Sequence, residues 1–211
     1  MAKPLKMSEV AGIVLAAGSS SRMNGILKPL LPFRGKPMLC RVVESALESS
    51  LDRVVVVLGN GFETISRVLS DTRAEVVYNP QFLTGQSSSL KSGLSVLGKD
   101  CEGALFLLGD QPLVDAAVID AVIGMFRKTG SPIVVPCYRG KPGNPVFFAH
   151  SLFPQIMALE GDVGARALVK EHAQSVATVA VENEGIHLDI DTREDYEALL
   201  KRANGLKGET L

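Results

Sequence analysis

The sequence predicts an α/β domain of three layers, α/β/α, built on a mainly parallel sheet with a small β insertion. Three observations carry that expectation. Short β-branched apolar runs recur at regular intervals, they lack the alternation of half-exposed strands, and amphipathic stretches of helical period fall between them. Strands buried on both faces and alternating with helices indicate a parallel sheet covered on either side.

Residues 11–16 (Ala-Gly-Ile-Val-Leu-Ala) read as the first strand, followed by strands at 53–58, 74–78, 103–108 and 132–136. Residues 37–49 form the first helix, with Leu39, Val42, Val43, Ala46 and Leu47 on one face and Pro37 suited to its first position. Residues 62–69, 88–97 and 116–126 follow the same helical logic. The pattern then changes. Residues 138–145 are turn-forming and 146–148 (Val-Phe-Phe) resume as a strand, which reads as a ribbon or hairpin added to the sheet. Helical pieces follow at 151–158 and 162–172, strands at 176–181 and 187–190, and a last helix at 193–202. With neither repeat nor linker, residues 10–202 make a single domain, leaving 1–9 and 203–211 as short polar tails.

Composition narrows the function. A chain of 211 residues with 46% apolar and 21% charged residues suits one folded domain. A net charge of −1 gives no reason to expect nucleic acid or a membrane surface as partner, and eight Phe, three Tyr and no Trp make a base-stacking platform improbable. Cys40, Cys101 and Cys137 show no metal-ligand spacing and read as thiols of a reducing compartment, and His150, His172 and His187 lack metal spacing too. The N-terminus has no apolar stretch long enough for a signal peptide or a span. The protein is expected in the cytoplasm.

Three segments carry chemistry. In Leu15-Ala-Ala-Gly-Ser-Ser-Ser-Arg22, a strand opens into a loop of small residues at the carboxyl edge of the sheet, where open α/β sheets bind ligands. Small residues let backbone N–H groups approach an anion, and Arg22 and Lys28 add charge. The loop lacks the Gly-Lys-Ser/Thr of a P-loop and the G-x-G-x-x-G of a dinucleotide site. A tight connection with a solvated Arg and Lys fits the composition equally well. In the second segment, Gly109-Asp-Gln-Pro112 follows an apolar strand. Asp110 suits a Mg²⁺ site completed by substrate phosphates, or the cap of the next helix. In the third, Asp189 and Asp191 alternate with Leu188 and Ile190 and would share one strand face, while Thr192 and Asp195 have helix-start spacing. Capping duty is the competing account of those aspartates.

Together these segments resemble the MobA-like nucleotidyltransferases over about residues 10–200. The stretch from Leu15 to Arg22, with Met23 and Lys28, is similar to that family's signature loop, and the motifs at 109–112 and 189–196 to its metal-site motifs. Within the family the sequence is most similar to the molybdenum cofactor cytidylyltransferases. The similarity rests on Ala16-Ala17, on residues 85–90 (Gly-Gln-Ser-Ser-Ser-Leu), on 140–145 (Gly-Lys-Pro-Gly-Asn-Pro) and on 161–166 (Gly-Asp-Val-Gly-Ala-Arg). Two positions depart from the pattern: Asn24 stands between Met23 and Gly25, and Asn144 replaces a frequent His.

The resemblance implies a Rossmann-like fold and transfer of CMP from CTP to Mo-molybdopterin with Mg²⁺ as cofactor. A recipient molybdoenzyme of the xanthine dehydrogenase type would be the onward partner. It implies catalytic roles for Arg22, Lys28 and Asp110, and a metal held by Asp110 and Asp191 with Asp189 as the fallback. The nucleotide would lie against Leu15, Ala16, Ala17, Gly18, Ser19, Ser20, Ser21, Arg22, Lys28, Gln86, Ser89 and Asp110. The acceptor would meet Gly143, Asn144, Gly161, Asp162 and Arg166. Two alternatives stand beside it: a same-fold nucleotidyltransferase using GTP or another phosphorylated acceptor such as a sugar phosphate, and a non-catalytic molybdopterin-binding chaperone.

Overall fold

The computed structural model describes residues 9–18 and 26–205. Its centre is an eight-stranded sheet. Strands β1 (Glu9–Ala16), β4 (Arg53–Leu58), β5 (Glu75–Tyr78) and β6 (Cys101–Leu108) form one parallel block in the order β6-β1-β4-β5. Strands β7 (Ile133–Tyr138) and β10 (Val176–Ala180) form a second parallel pair. Between the blocks lies β9 (Val146–Ala149), antiparallel to both β6 and β7.

The position of β9 differs from the sequence expectation of an added ribbon. Only β8 (Lys141–Pro142) is peripheral, hairpin-paired to β7. The reason is burial on both faces: Phe147 joins the core on one side of the sheet and Phe148 the core on the other. A strand that fills two cores belongs in the middle of a sheet.

Successive residues along each strand enter opposite cores, which is how the continuous apolar runs are used. Val14, Val56 and Leu105 face α1 (Met38–Glu48), α2 (Phe62–Arg67) and α4 (Ala116–Thr129). Ile13, Val55 and Phe106 face α3 (Gln86–Leu94), α5 (Phe153–Ala158) and α6 (Arg166–Glu171). Pro37 sits one position earlier than expected, as the cap before α1. A two-stranded ribbon unforeseen in the sequence, β2 (Pro32–Phe33) and β3 (Lys36–Pro37), precedes α1. Phe33 and Met38 of this region form a third small core with Ile190 and with Leu199 of α7 (Arg193–Gly205). Helix α7 runs past residue 202, the end expected for it, to Gly205.

Two further expectations are corrected. Residues 187–190 are not a strand: a 3-10 turn, Glu184–His187, leads into irregular backbone. Among the described residues no strand pairs with it, and the Ile190 N–H is committed to the carbonyl of Asp110 at 3.2 Å. The helix foreseen at 162–172 begins only at Arg166, because residues 161 and 162 lie against the turn before α3.

Candidate active site

Register places the site. Ala16 pairs with Leu58 and Leu15 with Leu108, so β1, β4 and β6 end together. A cavity of about 610 Å³ opens at that carboxyl edge, lined by Leu15, Ala16, Ala17, Gly18, Lys28, Gln86, Ser89, Asp110 and Asp191, among others. Every nucleotide-site residue expected from the sequence that falls among the described residues is therefore gathered in one place. Ser19, Ser20, Ser21 and Arg22 lie outside the described residues.

Asp110 stands two residues beyond the end of β6, and Gly109 N–H donates to the Leu15 carbonyl at 2.9 Å, tying the two strand ends together. Asp191 arrives from the far end of the chain. The Ile190–Asp110 backbone bond holds its segment, and Tyr196 donates from its hydroxyl to the Pro32 carbonyl at 2.6 Å, docking α7. At the start of that helix, Thr192 N–H donates to Asp195 Oδ2 at 2.8 Å and Asp195 N–H returns a bond to Thr192 Oγ1 at 3.2 Å. This is the expected capping box, and its hydrogen bonds hold the Asp195 carboxyl below the usual carboxylate range. Capping falls to Asp195, leaving Asp191 for the cavity.

Lys28 joins the two acidic segments. Its Nζ lies 2.6 Å from Asp110 Oδ2 and 3.1 Å from Asp191 Oδ1. The Lys28 and Asp110 side chains are 17% and 20% exposed, whereas Asp191 is 51% exposed. Burial alone would lower the Lys28 ammonium, but the two carboxylates outweigh it and its pKa is raised. The cation is firmly protonated.

Asp189 lies beside this pair and lines the same cavity. Gln111, 1% exposed, donates through Nε2 to Asp189 Oδ1 at 2.5 Å. Desolvation and the nearby Asp110 charge push the Asp189 carboxyl up. Asp110 Oδ1 is buried and finds no hydrogen-bond partner among the described residues. Two carboxylates converging on one cation, with an oxygen to spare, fit a small divalent ion whose shell is completed by phosphates. Among the described residues no group of three or more His, Cys, Asp or Glu offers an all-protein cage. The three histidines stand apart from this site: His172 pairs with Gln155 and His187 with the Lys141 carbonyl.

A second cavity of about 600 Å³ adjoins the first, sharing Leu15, Gln86, Leu108, Asp162 and Asp189 with it. Asn144, Asp162 and Arg166, three of the residues that the resemblance assigns to the acceptor, line it, and Lys170 joins them. Asn144 is 6% exposed, and its Nδ2 is a buried donor without a partner among the described residues. Gly143 and Gly161 do not line it. Gly143 is a packing residue: a Cβ there would stand 2.5 Å from the Ile186 carbonyl oxygen. Gly161 lies against the start of α3, its carbonyl accepting from Ser87 Oγ at 2.8 Å. Gly85, with a φ of +114°, is pressed against the same Gly161 backbone where no side chain could fit.

The serine run divides by role. Ser87 and Ser88 are spent on carbonyls of Gly161, Gln81 and Gly85, and only Ser89, bonded by Asn79 Nδ2 at 3.1 Å, lines the first cavity. Sequence reasoning missed Asn79, Phe82, Leu83, Thr84 and Lys170. The Asn79-Pro80 pair was the available signal for the first, since such pairs mark turns.

A cavity at the strand ends, lined by paired carboxylates and a lysine together with Ala17 and Gly18, defines a site for phosphoryl chemistry. Residues 12–176 match the model of the MobA-like NTP transferase domain, and the chain belongs to that family. It is similar to the purine catabolism protein PucB of Bacillus subtilis, 29% identical over 201 residues that cover 91% of this chain and 96% of PucB. It is similar also to the molybdenum cofactor cytidylyltransferase of Escherichia coli, 28% identical over 197 residues, 90% and 95% of the two chains. Among solved structures, that of Rv0371c from Mycobacterium tuberculosis as a complex with manganese superposes with a TM-score of 0.79 at 28% identity, covering 92% of this chain and 98% of the other.

Proposed function

We propose that the chain is a molybdenum cofactor cytidylyltransferase, moving CMP from CTP to Mo-molybdopterin and releasing pyrophosphate. The observation that carries the proposal is the pair of adjoining cavities, with Asp110, Asp191 and Lys28 in the first and Asp189 on the boundary. A nucleotide in the first cavity and a phosphorylated acceptor in the second would meet there. The similarity to the E. coli cytidylyltransferase over nearly the whole chain supports this choice of substrates.

The acceptor's terminal phosphate oxygen attacks the α-phosphorus in line, forming a P–O bond as the α–β bridge bond breaks and pyrophosphate departs. That oxygen is already ionised, so positioning and charge neutralisation carry the catalysis. Ala16, Ala17, Gly18 and the Ser19, Ser20, Ser21 stretch hold the nucleotide, with Gln86 and Ser89 at its other side. Lys28 and Arg22 offset charge on the departing pyrophosphate. Asn144 Nδ2, Arg166 and Lys170 present donors to the acceptor, whose anionic groups would satisfy the buried amide. Asp110 and Asp191 are the residues that would hold Mg²⁺, which when bound neutralises phosphate charge. The manganese complex of Rv0371c supports the use of a divalent ion.

Two paired carboxylates beside a lysine count against a purely cofactor-carrying chaperone, since binding alone requires no such constellation. No helix of the described residues is long and apolar enough to cross a membrane. On the proposed reading the protein acts in the cytoplasm and its product passes to a molybdoenzyme of the xanthine dehydrogenase type. Pyrophosphate release from CTP and Mg²⁺, dependent on Mo-molybdopterin, tests the proposal. Binding of both ligands without release would turn the reading to the chaperone.

A further inference from the structure

We infer that Lys28 closes the two-carboxylate site to a bare divalent cation and yields it only when a nucleotide's phosphates draw the ammonium away. The inference rests on Asp110 and Asp191 being the metal ligands. Lys28 Nζ sits within hydrogen-bond distance of both carboxylates, at 2.6 Å and 3.1 Å, so it occupies the position between them. A small divalent ion would stand roughly 2.0–2.1 Å from its carboxylate oxygens, leaving no room for an ammonium on the same atoms. The spare Asp110 Oδ1 gives no escape, because an ion bound there would face the ammonium at short range and be repelled.

The backbone of Lys28 is fixed while its side chain can travel. Leu31 N–H donates to the Lys28 carbonyl at 3.1 Å, and Pro29 beside it is buried. The four-carbon stem projects into the cavity that would hold the triphosphate, so the phosphates offer the ammonium a second set of oxygens. Before exchange, among the described residues, the two carboxylates share the positive charge of Lys28. Afterwards they share two, and the lysine's charge has moved to the triphosphate. The ion is therefore admitted together with the nucleotide, and the resting protein binds it weakly.

Mn²⁺ binding to the full chain without nucleotide, followed by electron paramagnetic resonance of the free ion, tests this. Lys28→Met and Lys28→Gln should each bind Mn²⁺ at least about tenfold more tightly than the wild type, because a like charge is removed from the site. Adding Asp110→Asn to Lys28→Met should abolish the gain. Unchanged or weaker binding in the lysine variants overturns the inference while sparing the metal site. A gain that survives Asp110→Asn places the ion elsewhere and overturns both. A second measurement is made on the wild type: reaction of Lys28 with an amine-directed reagent, read by peptide mass spectrometry, should stay unaltered with Mn²⁺ alone at the concentration that occupies Lys28→Met. A several-fold rise would show the bare ion displacing the ammonium and overturns the inference.

Discussion

Replacing Asp110 by Asn removes one negative charge with almost no change in shape, and the structure allows its effects to be separated. At 2.6 Å and an effective dielectric of about 20, the Lys28–Asp110 attraction is about 6 kcal/mol before desolvation is subtracted. Both side chains are mostly buried, so their desolvation offsets much of that figure, and a net loss of about 1–3 kcal/mol is expected. Asp191 still faces Lys28, which keeps the ammonium partnered and holds the loss to that range. In a chain of this size the corresponding fall in Tm is about 2–12 °C. Chemistry should suffer more: losing a metal ligand removes several kcal/mol of charge stabilisation, on the order of a thousandfold in rate. Circular dichroism would report the fold, and coupled pyrophosphate release from CTP at saturating Mg²⁺ the rate. Asp191→Asn should lose rate similarly with a smaller loss of stability, since its side chain is more exposed. Near-normal turnover in either variant would remove that residue from the metal site.

Lys28→Ala and Arg22→Ala should lower kcat more than they raise the KM for CTP, because charge grows on pyrophosphate as it leaves. A change confined to KM would disprove that role. Asp189→Asn bears on pH. The folded carboxyl is raised above its ordinary value of 3.8, so it favours the fold in acid, and this contribution is lost as pH rises from there through the raised value. The variant keeps an acceptor for Gln111 and removes the ionised group, so it should melt above the wild type at pH 7, with the gap closing below about pH 4. A gap unaffected by pH would refute the linkage. Ala17→Gly should raise use of GTP relative to CTP: Ala17 lines the first cavity, and crowding by one carbon costs about 1–3 kcal/mol. An unchanged ratio would locate base selection near residues 85–90.

The first half of the site was legible in the sequence because strand ends are local features. Apolar runs ending at Ala16 and Leu108 announce where their loops emerge, and Gly18 and Asp110 follow directly. Asp191 is named by the family resemblance; the strand face that its alternation with Asp189 suggests is not there, and irregular backbone tied to the Asp110 carbonyl delivers it. Long-range docking of that kind leaves no periodic trace. The central position of β9 was equally hidden, since Val146-Phe-Phe148 reads the same at an edge as between two strands. Lys170 escaped notice because an i, i+4 relation to Arg166 on a short helix is indistinguishable from a solvated face until the cavity is seen. Gly143 is the converse case, a loop glycine that serves packing against Ile186.

The central claim is cytidylyl transfer to Mo-molybdopterin, and a matrix of nucleoside triphosphates against phosphorylated acceptors, with products identified by mass spectrometry, tests it most directly. With CTP and GTP in competition, the molybdenum-loaded acceptor should give molybdopterin cytosine dinucleotide at a catalytic efficiency at least about tenfold above the guanine product, the discrimination expected of one crowded methyl. Equal incorporation of the two bases, or a product formed only with a sugar phosphate, would contradict it.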